Sequence, residues 1–95
     1  MSLMLDKITI TKTKNKGFAS VSISDEDDAT LVLNGFVIDI TDGANPVNII
    51  TYNGSSVISG NVVNGIKDLI LEVFQSLSEI EFGIFEYCNE EIVQL

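Results

Sequence analysis

The side chains in this chain that could do chemistry are carboxylates, lysines and one thiol; histidine and arginine are both absent. Without His there is no Ser–His or Cys–His nucleophile and no imidazole metal site. Without Arg there is no bidentate clamp for phosphate or carboxylate. Acid–base work would therefore fall to carboxylates, and two groupings stand out: Asp39 with Asp42, and the run Asp25-Glu26-Asp27-Asp28. Glycosidase-type chemistry needs two carboxylates at a set separation across a cleft. A short chain with no Trp and two Tyr offers little to line such a cleft. Both groupings are read as solvated loop charge, the protein is expected not to be an enzyme, and no catalytic residue is assigned.

Metal and nucleotide chemistry fare no better. The run at 25–28 lacks the glycine that an EF-hand loop requires at its sixth position and lies between strands, so loose cation contact is the most it offers. Gly60-Asn61-Val62-Val63-Asn64-Gly65 copies the glycine spacing of a phosphate loop. Ile66 and Lys67 follow, however, where Lys and then Ser or Thr are needed, so the segment reads as a turn and a helix cap. Cys88 is alone, which excludes an intrachain disulfide, and a free Cys packs as a small hydrophobe. No cofactor and no metal site are assigned.

The charges are unevenly placed. Residues 1–24 hold four lysines against Asp6, about +3, and residues 25–95 hold Lys67 against thirteen carboxylates, about −12; these sum to the net −9. Lys12, Lys14 and Lys16 form a basic tip. Such lysines guard an exposed strand against edge pairing, or they dock on an acidic surface, including that of a second copy of the chain. Nucleic acid is disfavoured as a partner, because a few lysines without Arg or aromatics make a weak footprint against a negative body. Asp68, Glu72 and Glu79 form an acidic ridge that suits solvent or a basic protein partner. Leu71 and Phe85 are the apolar groups expected to be spare, and with the charged residues they complete the candidate interaction surface.

The elements that must position these groups follow from periodicity. Residues 7–14 alternate with period two, with Ile8 and Ile10 on one face and Lys12 and Lys14 continuing that face past the core into water. Asn15-Lys16-Gly17 reads as a turn that uses Gly17 at positive φ, and 18–24 as the return strand with Ala19, Val21 and Ile23 inward. Residues 30–33 and 36–41 read as two further strands joined by an Asn34-Gly35 hairpin turn. Asp42 to Pro46 is a turn cluster and 47–52 a fifth strand. From about Asn61 to Ser78 the apolar residues fall on one arc of a helix, capped by Ser59 or Asn61. Residues 82–88 suit a sixth strand at a sheet edge, and the tail from 89 has no assignment.

The expectation is one α+β domain over 1–95: an antiparallel meander of five or six strands covered on one face by a single helix. No apolar run approaches the ~20 residues of a membrane span, and no secretory signal opens the chain, which implies a cytoplasmic setting. The expected function is that of a small non-enzymatic interaction or assembly protein, a homo-oligomer oriented by its basic hairpin against acidic surface and so weakened by salt. The alternatives are an acidic module that binds a basic protein, and an accessory or structural protein of viral or mobile-element origin. Abundant Ile and Asn with no Arg give the sequence the look of AT-rich coding.

Overall fold

The computed structural model describes residues 3–27, 29–41, 49–54 and 58–95. Its elements are β1 (Met4–Thr13), β2 (Lys16–Ser24), β3 (Thr30–Asp39), β4 (Ile50–Tyr52), α1 (Gly60–Ser76), β5 (Phe82–Cys88) and β6 (Glu91–Gln94). The strands form one antiparallel sheet in the order β4-β3-β2-β1-β5-β6, with α1 packed on one face. This is the α+β architecture that the alternating and helical periods require. The expected turn cluster at 42–46 and the first two residues of the fifth strand lie outside the described residues.

Three local readings are corrected. Asn34-Gly35 makes no hairpin turn: β3 runs through it, and Ser20 of β2 faces both residues in a bulge. Gly35 has φ +98°, which only glycine adopts without strain, so an Asn-Gly pair serves a bulge as readily as a turn. Gly17 lies inside β2, and the residue at positive φ in the first turn is Lys14 (φ 56°). A Cβ on Gly17 would overlap the Thr11 carbonyl oxygen and sit 3.4 Å from the Phe74 ring, so this glycine serves close approach. Phe82–Cys88 does form a strand, but one inside the sheet: β5 pairs with β1 on one side and with β6, drawn from the unassigned tail, on the other.

A second bulge sets the inward parity of β1. Leu5 pairs with Ile23 and Lys7 with Ser22, which leaves Asp6 as the extra residue. Its carboxylate accepts from the hydroxyls of Ser24 (3.0 Å) and Ser22 (3.5 Å). Beyond it, Ile8 and Ile10 turn inward beside Val21, Leu33, Phe36, Ile38 and Phe85.

The helix supplies the other half of the core through Ile66, Ile70, Val73, Phe74 and, at its C-cap, Leu77. Each such side chain stabilises the fold by about 1.5–3 kcal/mol on burial. The Ser59 hydroxyl accepts from the Val62 amide at 3.4 Å and starts the helix. A helix is only about 10 Å across, whereas six strands at about 4.8 Å spacing span roughly 24 Å. One helix therefore leaves part of its own side, and all of the opposite side, without a covering layer among the described residues.

Candidate functional site

The basic tip is not three free ammonium groups. Lys12 is 4% exposed and lies on the core face of β1. Its ammonium donates to the Lys14 carbonyl oxygen at 2.7 Å and sits 5.0 Å from the centre of the Phe74 ring. The aliphatic stem continues the Ile8–Ile10 row, and the cation rests on the ring at the end of α1. Here the expectation that Lys12 runs into water fails: α1 extends far enough to roof that position. The Lys16 ammonium stands 3.9 Å from the Asp39 carboxylate in an exposed pair across β2 and β3. Lys14 is exposed at the turn, which the main chain holds from both sides: Lys14 N–H donates to the Glu81 carbonyl (2.6 Å) and Ile40 N–H to that of Asn15 (2.8 Å).

The titration of Asp39 is displaced. Its pKa is lowered below the ordinary 3.8, chiefly by the Thr41 hydroxyl that donates to it, with the Thr41 amide and Lys16 assisting and partial desolvation opposing. These contacts make a strand-end turn, and Asp42, the other carboxylate of that grouping, lies outside the described residues. In the acidic loop, Asp25 Oδ1 accepts from the amides of Asp27 (2.9 Å) and Ala29 (3.0 Å), which is turn formation. Among the described residues no three carboxylates or thiols come together as metal ligands.

The rest of the expected surface divides. Asp68, Glu72 and Glu79 are exposed, the last in the turn beyond α1. Leu71 is half-buried against the core. Phe85 is not spare: it is fully buried at the centre of the sheet, because β5 lies beside β1 and not at the rim.

What residue-by-residue reading missed is the sheet face opposite α1. Cross-strand pairing aligns Thr51, Val37, Phe18, Thr11 and Ile84 in one row across β4, β3, β2, β1 and β5. Leu95 extends the row, its amide donating to the Ile84 carbonyl at 2.8 Å. Phe18 is 64% exposed, Ile84 46%, and the flanking Phe82 and Val93 55% and 56%. A band of this kind, apolar but for Thr11 and Thr51 and bordered by Thr and Ser, marks a contact surface where scattered single residues would not. The signal lay in the alternation: Phe18 and Ile84 hold the outward parity of strands whose inward residues are Ala19, Val21 and Phe85. By strand parity this face carries Lys7 and Lys16 against Asp6, Asp39, Glu86 and Glu91, about −2 of the net −9.

A cavity of about 360 Å³ opens between the start of α1 and the ends of β2 and β3, lined by Leu3, Ile23, Leu31, Ile58 and Val62 among others. Among the described residues that line it, Asp25 is ionisable, and it is already engaged by two amides. No described helix is long and apolar enough to cross a membrane. No protein-family model matches this chain, and neither the curated proteins nor the solved structures contain a match to it.

Proposed function

We propose that this protein is a small non-enzymatic assembly protein that associates with copies of itself through the sheet face opposite α1. The observation that carries the reading is the band Phe18–Ile84–Leu95 with Phe82 and Val93, exposed beside the half-buried Val37 on a face that holds only about −2 of the net −9. Two copies pack these faces against each other as the layers of a sandwich, at about 10 Å spacing. The size is adequate. The longer dimensions, 38 and 28 Å, bound a face of about 1,000 Å², against roughly 800 Å² per partner in a standard interface.

The driving force is apolar, and the charges modulate it with the opposite sign to that expected of a basic docking finger. With Lys12 buried and Lys16 beside Asp39, the hairpin has little free charge to offer. Two bodies of net −9 repel, and salt screens that repulsion. Self-association therefore strengthens as salt is added. Sedimentation velocity across a salt series tests this: a single monomeric species at every salt concentration overturns the proposal.

A second reading, an acidic module for a basic protein, is favoured by the exposed Asp68, Glu72 and Glu79 on the α1 side. It predicts a monomer that binds a basic polypeptide such as polylysine through those residues, with affinity falling as salt rises.

A further inference from the structure

From the edge of the sheet we infer a second self-contact, resting on the assembly reading above: β6 pairs antiparallel with β6 of another copy, centred on Val93. In the β5–β6 ladder, Leu95 bonds Ile84, so the hydrogen-bonded pairs are Ile84–Leu95, Glu86–Val93 and Cys88–Glu91. The alternation leaves the N–H and C=O groups of Ile92 and Gln94 directed away from β5. No strand lies beyond β6 among the described residues. Of the devices that guard natural edges, β6 has a short span and one charge, Glu91, but no Lys, no Pro and no bulge. It also puts apolar side chains on both faces, Ile92 on the α1 side and Val93 on the open side.

A second copy of the same strand is the occupant that fits. With Val93 on a two-fold axis, Ile92 of each copy meets Gln94 of the other as a hydrogen-bonded pair, and four main-chain bonds close. Val93 meets its own counterpart as a non-bonded pair, where side chains approach most closely. Glu91 falls opposite Leu95, so no like-charged side chains face each other across the junction. The sheet becomes continuous over twelve strands, and the apolar band on the open face runs through both copies. Because this axis is perpendicular to the sheet while the sandwich axis lies in it, the two contacts used together build assemblies larger than a dimer.

Cross-linking tests the register. In a Cys88→Ser background, Val93→Cys places two thiols on Cα atoms about 4.5 Å apart, within the roughly 4.4–6.8 Å that a disulfide spans. Mild oxidation is expected to give a covalent dimer. Glu91→Cys, offset from its own counterpart by four residues, is expected to give none. In parallel, Ile92→Pro with Gln94→Pro removes two outward donors and no β5–β6 bond, and is expected to reduce assemblies to face-packed dimers. Efficient cross-linking of Glu91→Cys, or no cross-linking of Val93→Cys together with an oligomeric state unchanged by the prolines, overturns the edge contact and leaves the open-face reading standing. Loss of all association on Phe18→Glu, together with loss of the Val93→Cys cross-link, overturns the edge contact and leaves the open-face reading standing. Association unchanged by Phe18→Glu, with the Val93→Cys cross-link retained, overturns the open-face reading and keeps the edge contact.

Discussion

Lys12 decides how the basic end of this molecule behaves. A lysine on an inward position has its stem in the core and its ammonium at the core's margin, where a main-chain carbonyl and the Phe74 ring receive it. Lys12→Ala removes the stem and the ring contact and is expected to destabilise the fold by about 1–2 kcal/mol in urea unfolding. Lys14→Ala is expected to change it by less than about 0.5 kcal/mol, as befits an exposed turn residue. The inward parity of Lys12 was legible in the sequence; the reach of α1 over it was not, since that depends on where a helix settles in three dimensions. Asp39 gives a pH-dependent prediction. Its folded pKa is depressed, so the stabilisation from Thr41 and Lys16 is fully present above the ordinary 3.8 and is lost as pH falls through the lowered folded value. Thr41→Ala is expected to move the Asp39 titration, followed by carboxyl NMR, back up toward 3.8. An unmoved titration would show that the hydroxyl does not hold the charge.

At the level of elements, local signals found the strands and the helix but not every junction between them. The period-two runs, the arc of apolar residues on α1 and the Ser59 cap lay in short stretches of sequence and appear as read. Asn34-Gly35 misled because a bulge and a two-residue hairpin both need glycine at positive φ, and only the partner strand distinguishes them. Gly35→Ala, at φ +98° with its Cβ 3.0 Å from the Gly54 nitrogen, is expected to cost about 1–3 kcal/mol. The place of β5 could not be read locally either, because joining β1 across the helix is a long-range choice. The contrast within β5 is sharp. Phe85→Ala opens a cavity in the core and is expected to cost about 3–5 kcal/mol, whereas Phe82→Ala, three residues away on the open face, is expected to change monomer stability by less than about 1 kcal/mol. Equal effects on chemical denaturation would mean that the two faces have been assigned wrongly.

For the whole molecule, the consequential fact is that, among the described residues, a six-stranded sheet carries one helix. The polar side of α1 faces solvent with Asp68 and Glu72, while the far side of the sheet exposes an aromatic and aliphatic band. The architecture was legible in the sequence; the candidate site was only partly so. Lys14, Lys16, Asp68, Glu72 and Glu79 are at the surface, but the residues that now carry the argument are those whose outward parity had been passed over. Phe18 is the most informative of them, an exposed ring in the middle of the sheet on β2, where a single charge would sit at the centre of any face-to-face contact and touch nothing in the core. The most direct test is therefore analytical ultracentrifugation of the wild type and Phe18→Glu across a salt series. The account predicts reversible self-association of the wild type that tightens with salt, and a folded Phe18→Glu protein weakened on the order of 100-fold or more in its association. A wild type that stays monomeric, or one whose association loosens with salt and ignores Phe18→Glu, would contradict it.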